Sequence, residues 1–270
     1  MGEFNELFSA FFGFLKDEKD LNDIPYKIKD GIPKLPNENK YPLDFAPKAI
    51  NQGQTSTCSA QSLKAVFQYY NNRVNKEEIK FSALFAYWNA RHYYQYNDTV
   101  DSGVSLRNIL KSARRFGICE EKFWEFDTEI IFKCPSKEAY LDGKNHQLYS
   151  YRTCENKLEN ILHATLQGQP VLIGIPVYKE AFFGKDGIVN LPEKDDKFLA
   201  YHAMPCFGYE KIFGKSYFCC LNSHGTNYGR FHGLAYVNFD YIDLMESSWA
   251  VQLLEDISPE FLKEKYERGE

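Results

Sequence analysis

The stretch from Asn51 to Gln61, NQGQTSTCSAQ, sets a glutamine, a glycine and a single cysteine directly ahead of a run of helix-forming residues. A thiol in the first turn of a helix faces the positive end of the helix dipole, which favours thiolate and predicts a pKa for Cys58 below the free value of about 8.5. Thiolate is a nucleophile. Gln52, turned by Gly53, is placed to bring its amide nitrogen beside the backbone N–H of Cys58, and two such donors make an oxyanion hole. A nucleophile of this kind calls for an imidazole base. His202, at the start of a predicted strand far downstream, is a candidate. Asn222, on a later strand, offers a side-chain oxygen that fixes the imidazole tautomer. The chemistry these residue types support is acyl transfer through a thioester.

Positioning these side chains requires a helix that starts at Cys58 and strands beneath His202 and Asn222. After Cys58, SAQSLKAVFQYY carries Leu63, Val66, Phe67 and Tyr70 at helical spacing; SALFAYWNARHYY follows Phe81, and SLRNILKSARRFG runs to Gly117, a predicted C-cap. From Gln147 onward the signals are those of strands: QLYSY, PVLIGIPVY, HAMPCFGYE, KSYFCCLNS and GLAYVNF, separated by Gly, Asn and charged turns. NKLENILHATLQGQ is the one helix expected among them. The expected class is α+β, with a helical lobe over about 50–140, an antiparallel β lobe over about 145–255, and a cleft between them.

Composition narrows the partners. The 270 residues are 44% hydrophobic and 26% charged, the profile of a globular chain with a sizeable core. A net charge of −5 and the lack of any long basic run argue against nucleic acid. Seven irregularly spaced cysteines make no disulfide framework and no CxxC pair for zinc, so they read as core thiols of a reducing, non-secreted compartment such as the cytoplasm. No metal or cofactor is expected: His224 and His232 have no third ligand, and His92, His146 and His163 read as surface or packing residues. LFSAFFGFL has the apolar look of a signal peptide, but Glu3 and Glu6 stand where positive charge belongs. The run is also shorter than the roughly 20 residues a bilayer span needs.

Cys58, His202 and Asn222 stand in three segments, QGQTSTCS, YHAM and NSHGTNYG, whose order and spacing resemble the motifs of papain-type cysteine peptidases of the cathepsin class. The resemblance runs from about Leu43 to Val251. It implies a two-lobed papain-like fold and an endopeptidase acting on peptides or proteins without a cofactor. In this reading Cys58 is the nucleophile, His202 the base and then the acid, Asn222 the orienting group and Gln52 the oxyanion donor. Gly103 and Ser102, in DSGVS, fall where the family pairs with an extended substrate, and Ala203 and Tyr201 fall against that substrate. Three positions depart from the pattern. Thr55 stands where secreted members have a disulfide cysteine, Ser59 stands for the Trp after the nucleophile, and His224 stands for the Trp that shields the His and Asn pair. The last change predicts a wetter and weaker bond between His202 and Asn222.

In front of the expected catalytic domain at 43–270 lies an extension, 1–42. Phe4, Leu7, Phe8, Phe11, Phe12 and Leu15 form one apolar stripe and predict an amphipathic helix. Pro25, Pro33, Pro36, Pro42 and Pro47 then predict an extended path. The resemblance leaves two readings: an inhibitory prosegment that crosses the cleft in the direction opposite to substrate, or a helix that only extends the core. Two other functions stay open, a silent papain fold that binds peptides or a partner, and acyl transfer to an amine as in transglutaminase-like enzymes, against which Asn222 in place of Asp argues. Glu246, near Met245, is a candidate selector of basic residues or a solvated carboxylate. Nothing in the sequence sets an oligomeric state.

Overall fold

The computed structural model describes residues 13–28, 35–74, 79–183, 185–229 and 232–253. Helix α1 (Cys58–Val74) begins at the expected nucleophile and is buried on every side from Cys58 to Asn71. Such a central helix must satisfy its polar residues internally: Ser62 Oγ donates to Cys58 O at 2.8 Å, and Lys64 meets Glu121 at 2.9 Å. Helix α2 (Ala83–Gln95) starts where Ser82 accepts from Phe85 N and stops where Tyr96 turns to φ 53°.

Strand β2 (Val104–Ser105) leads directly into helix α3 (Leu106–Phe116), capped by Ser105. Gly117 ends this helix at φ +76°, and a Cβ there would lie 1.7 Å from Gly143 O. Helix α4 (Lys137–Gly143), which the apolar pattern did not signal, is opened by Ser136 accepting from Ala139 N.

The remaining α-helices and the strands of the large sheet are β3 (Leu148–Thr153), α5 (Leu158–Leu166), β4 (Val171–Tyr178), the single turn α6 (Lys179–Phe182), β5 (Ile188–Val189), β6 (Phe198–Ile212), β7 (Lys215–Leu221), β8 (Leu234–Asn238) and β9 (Ser247–Leu253). Among the described residues, seven strands form one sheet in the order β3-β9-β4-β6-β7-β8-β5. Every pairing in it is antiparallel except β5 with β8. The α+β class is as expected. Strand β9 was not anticipated, although Trp249, Val251 and Leu253 alternate with the period of two that marks a strand.

That same period divides the core. Leu172, Phe207 and Trp249 face α1, α2 and α3 in one cluster, while Ile173, Ile175, Met204 and Phe218 pack with Ile161 of α5 in another. Cys219 and Cys220 fall in different clusters, as adjacent strand residues must. All seven cysteines are free thiols.

Leu15, the last member of the expected apolar stripe, lies in a strand rather than a helix: β1 (Phe14–Leu15) pairs in parallel with β2. The other five members, Phe4 to Phe12, lie outside the described residues. Tyr26 N donates to Thr153 O at 2.8 Å and Asn39 N to Tyr209 O at 2.7 Å, so the chain touches the sheet at these two points, but the extended path expected through Pro42 gives way to a 3-10 helix over Tyr41–Phe45. Among the described residues no helix is long and apolar enough to cross a membrane.

Candidate active site

Cys58 and His202 come from opposite sides of the cleft. The start of α1 carries the thiol, and β6 carries the imidazole, registered opposite Ile175 of β4. Burial of the Cys58 sulfur is complete, and it accepts from the backbone N–H groups of Ala203, next to His202, and of Gly13, the latter at 3.3 Å. The two sides are tied by the loop ahead of Cys58. Gln52 N donates to Ser223 O at 2.9 Å, and Ser223 Oγ donates to Gln52 Oε1 at 2.5 Å. Gln52 Nε2 meanwhile donates to Thr55 O at 2.7 Å, which holds the side chain within the turn.

His202 Nε2 lies 2.9 Å from Asn222 Oδ1. An amide oxygen only accepts, so this bond keeps the ring proton on Nε2 and makes Nδ1 the basic nitrogen. The pair is buried, with His202 at 0% and Asn222 at 2% exposure. The expectation of a wetter bond is therefore wrong. Phe182, at the end of α6, meets the His202 ring edge-on at 5.7 Å, and His224 lies 5.2 Å from the same ring. A two-residue signal, the adjacent Phe182 and Phe183 after the strand PVLIGIPVY, marks the segment that takes over the shielding.

Protonation follows from this burial. Desolvation pushes the Cys58 thiol up to about 11, overcoming the hydrogen bonds that favour thiolate. The dipole at the start of α1, expected to lower this thiol, is outweighed by burial. Burial, followed by the neighbouring His224 and opposed by the Asn222 bond, takes His202 down to about 3. Thiol and imidazole are both neutral in this arrangement.

What covers the sulfur is the chain's own segment. Gly13 O accepts from Val104 N at 2.9 Å, and Gly103, at φ +80°, has no room for a side chain because a Cβ would lie 2.0 Å from Gly13 O. Phe14 is 3% exposed and its ring fills the space above Gly174, the partner of Ala203 across β4 and β6. Lys16 sits 4.5 Å over the Tyr201 ring and 2.7 Å from Glu246. Asp17 then accepts from Arg107 N at 2.9 Å and from Trp249 Nε1 at 2.8 Å, and Asp23 accepts from the Arg107 guanidinium through both oxygens. Gly103 and Tyr201 thus meet the covering segment, while Ala203 turns its N–H to the Cys58 sulfur. The Ser102 hydroxyl is engaged instead within its own loop, by Asn97 Nδ2 at 3.0 Å.

The model of the papain family cysteine proteases matches residues 47–241. The chain belongs to the papain family. An uncharacterized peptidase C1-like protein of Acanthamoeba polyphaga mimivirus is 27% identical, over 92% of this chain and 88% of that one. Among solved structures, xylellain, a cysteine protease from Xylella fastidiosa, is 25% identical with a TM-score of 0.81, covering 91% of this chain and 97% of its own. Procathepsin B of Trypanosoma congolense shares the fold, with a TM-score of 0.69 at 15% identity over 91% of this chain and 87% of its own.

In this papain-family chain, Ser59 donates to Val104 O at 2.7 Å and so pins the start of α1 to β2. A residue cluster outside the cleft, Glu120, Asp142 and His146, brings three potential ligand atoms within 4.8 Å of one another. Glu120 is already paired with Lys122 at 2.8 Å, and Asp142 accepts from Glu120 N at 2.7 Å.

Proposed function

We propose that the chain is a cysteine endopeptidase whose cleft is closed by its own residues 13–25. Cys58 is the nucleophile, His202 the base and then the acid, Asn222 the residue that orients the imidazole, and Gln52, with the Cys58 backbone N–H, the oxyanion donor. The observation that carries the reading is the Gly13 N–H on the Cys58 sulfur, at 3.3 Å, beside an intact His202 and Asn222 pair.

With the segment withdrawn, water and substrate dipoles reach the site and the proton passes from Cys58 to His202 Nδ1. The sulfur attacks the scissile carbonyl carbon, and the oxyanion is met by the two donors. His202 returns the proton to the leaving amine as the C–N bond breaks, leaving a thioester; water, deprotonated by His202, then attacks the thioester and frees the acid and the thiol.

The segment itself resists this reaction for a geometric reason. It turns an amide N–H, not an acyl carbon, toward the sulfur, and a nucleophile has nothing to attack in an N–H group. The described part of the extension, 13–25, is thus read as inhibitory. Burying the Phe14 ring alone favours closure by roughly 1.5–3 kcal/mol.

The full chain carrying Phe14→Asp should cleave a mixed peptide library under reducing conditions at least tenfold faster than the unaltered chain, and the further change Cys58→Ala should abolish that cleavage. A Phe14→Asp chain that binds an irreversible thiol-directed epoxide at no site and cleaves nothing would favour the alternative of a silent, peptide-binding papain fold.

A further inference from the structure

The loop before Cys58 and the loop that carries Gly103 belong to different segments, and no disulfide joins them. One carboxylate does. Asp101 Oδ2 accepts from Ser56 N at 2.8 Å, two residues ahead of the nucleophile. Its other oxygen accepts from Tyr87 OH, and that hydroxyl in turn accepts from Gly103 N at 2.9 Å. Tyr87 is fully buried within α2, and the Arg91 guanidinium lies 4.4 Å over its ring. Arg91, also fully buried, donates to Val100 O at 2.6 Å and to Ile131 O at 2.5 Å, which fixes the loop on the far side of Asp101.

These contacts make a clamp. Charge-assisted hydrogen bonds hold geometry more tightly than neutral ones, and a carboxylate with one oxygen on each of two segments sets their separation. One segment, 52–57, carries Gln52 and ends at the nucleophile; the other presents Gly103, whose backbone lies against an extended chain in the cleft. We propose that Asp101 and Tyr87 are positioning residues that lock the oxyanion loop to the wall of the peptide groove, so that bound peptide and thiol share one frame. The proposal rests on the peptidase reading for its catalytic consequence, though the clamp itself is a property of the fold. Asp101 touches neither sulfur nor substrate; it acts through Ser56 and Gly103. The loss is expected in kcat per active site, since displacement of a reacting group by about 1 Å costs up to about a hundredfold.

Two measurements test it. In the full chain carrying Phe14→Asp, Asp101→Ala and Tyr87→Phe should each lower kcat per titrated Cys58 about tenfold or more, and Asp101→Asn, which keeps an acceptor for Ser56, should recover a large part. The double change Asp101→Ala with Tyr87→Phe should cost less than the product of the single losses, because the two side chains act as one unit. In the chain without Phe14→Asp, amide hydrogen exchange should speed up in 54–57 and 100–104 together for either substitution. Faster exchange in 100–104 with 54–57 unchanged would overturn the clamp. So would a lower titre of active sites with an unaltered kcat per site, the mark of a merely structural loss. If the Phe14→Asp reference cleaves no peptide, the peptidase reading fails, and the exchange result decides the clamp without it.

Discussion

Gly13 donates its backbone N–H to the Cys58 sulfur at 3.3 Å, and it does so in a space that admits no side chain, since a Cβ on Gly13 would lie 2.0 Å from Ser56 O. The clash is with backbone, which cannot rotate away. Gly13→Ala should therefore lift the covering strand, at about 1–3 kcal/mol against closure, and speed iodoacetamide labelling of Cys58 at neutral pH about tenfold or more. Mass-spectrometric mapping of the labelled thiol checks this, and labelling no faster than in the unaltered chain would show that the strand does not guard the sulfur.

Cys58 should titrate late while it is covered. Because desolvation raises the thiol to about 11, its alkylation rate in the full chain should keep rising well past pH 9. In the Phe14→Asp chain the midpoint should fall, since water and the imidazole then stabilise the thiolate. The pH dependence of alkylation in the two chains, read side by side, gives the shift directly.

His202 makes folding sensitive to acid. Its folded value is depressed to about 3 from an ordinary 6.5, so the unfolded chain binds a proton that the covered site refuses. Stability is then fully present above pH 6.5 and declines as the pH falls from there toward 3. Thermal melts from pH 7.5 to 4 should show this loss, and His202→Gln should flatten the slope by the equivalent of one proton.

Arg107 latches the covering segment through Asp23 and packs its guanidinium 5.5 Å from the Trp249 ring. Removing it in Arg107→Ala should weaken closure by roughly 1.5–3 kcal/mol, the worth of hydrogen bonds to charged groups. The expected signature is opposite in sign for two readouts: faster peptide cleavage by the full chain and a lower melting temperature. A lower melting temperature with unchanged cleavage would place the latch outside the closing device.

Phe182 should control how much Asn222 matters. With the ring in place the bond from His202 is dry, and Asn222→Ala should lower kcat severely in the Phe14→Asp chain. With Phe182→Ala added, water replaces the lost acceptor at modest cost, and the same Asn222→Ala change should have a smaller effect. Equal losses in both backgrounds would mean that Phe182 does not shield the pair.

How much of this was legible in the chain depends on how far each signal reaches. The start of α1 at Cys58 and the Gly117 stop were readable, because a helix end is set by hydrogen bonds within four residues. The strand that carries His202 was readable from its apolar residues set between turn signals, whereas Asn222, expected on a strand, falls just past the end of β7 at Leu221. Leu15 was misread: an apolar spacing that suits a helix was overruled by the open edge at Val104, which offers a chain in the cleft its backbone partners. Strand β9 went unseen although SSWAVQL alternates, since its place between β3 and β4 is a fact about the sheet.

The sequence by itself determined the candidate chemistry: a thiol at a helix start, an imidazole and an amide in later segments, and a glutamine held ahead of the thiol. Only the tertiary structure decided the state of those groups. Cys58 is raised rather than lowered because its sulfur is buried away from water, even though the N–H of Gly13, forty-five positions earlier, pulls the other way by donating to it. His202 and Asn222 are dry because Phe182, and not the residue at 224 alone, closes over them. Side-chain identity is written locally, whereas solvation is set by whichever atoms of a distant segment fill the space beside it, and a pKa answers to solvation.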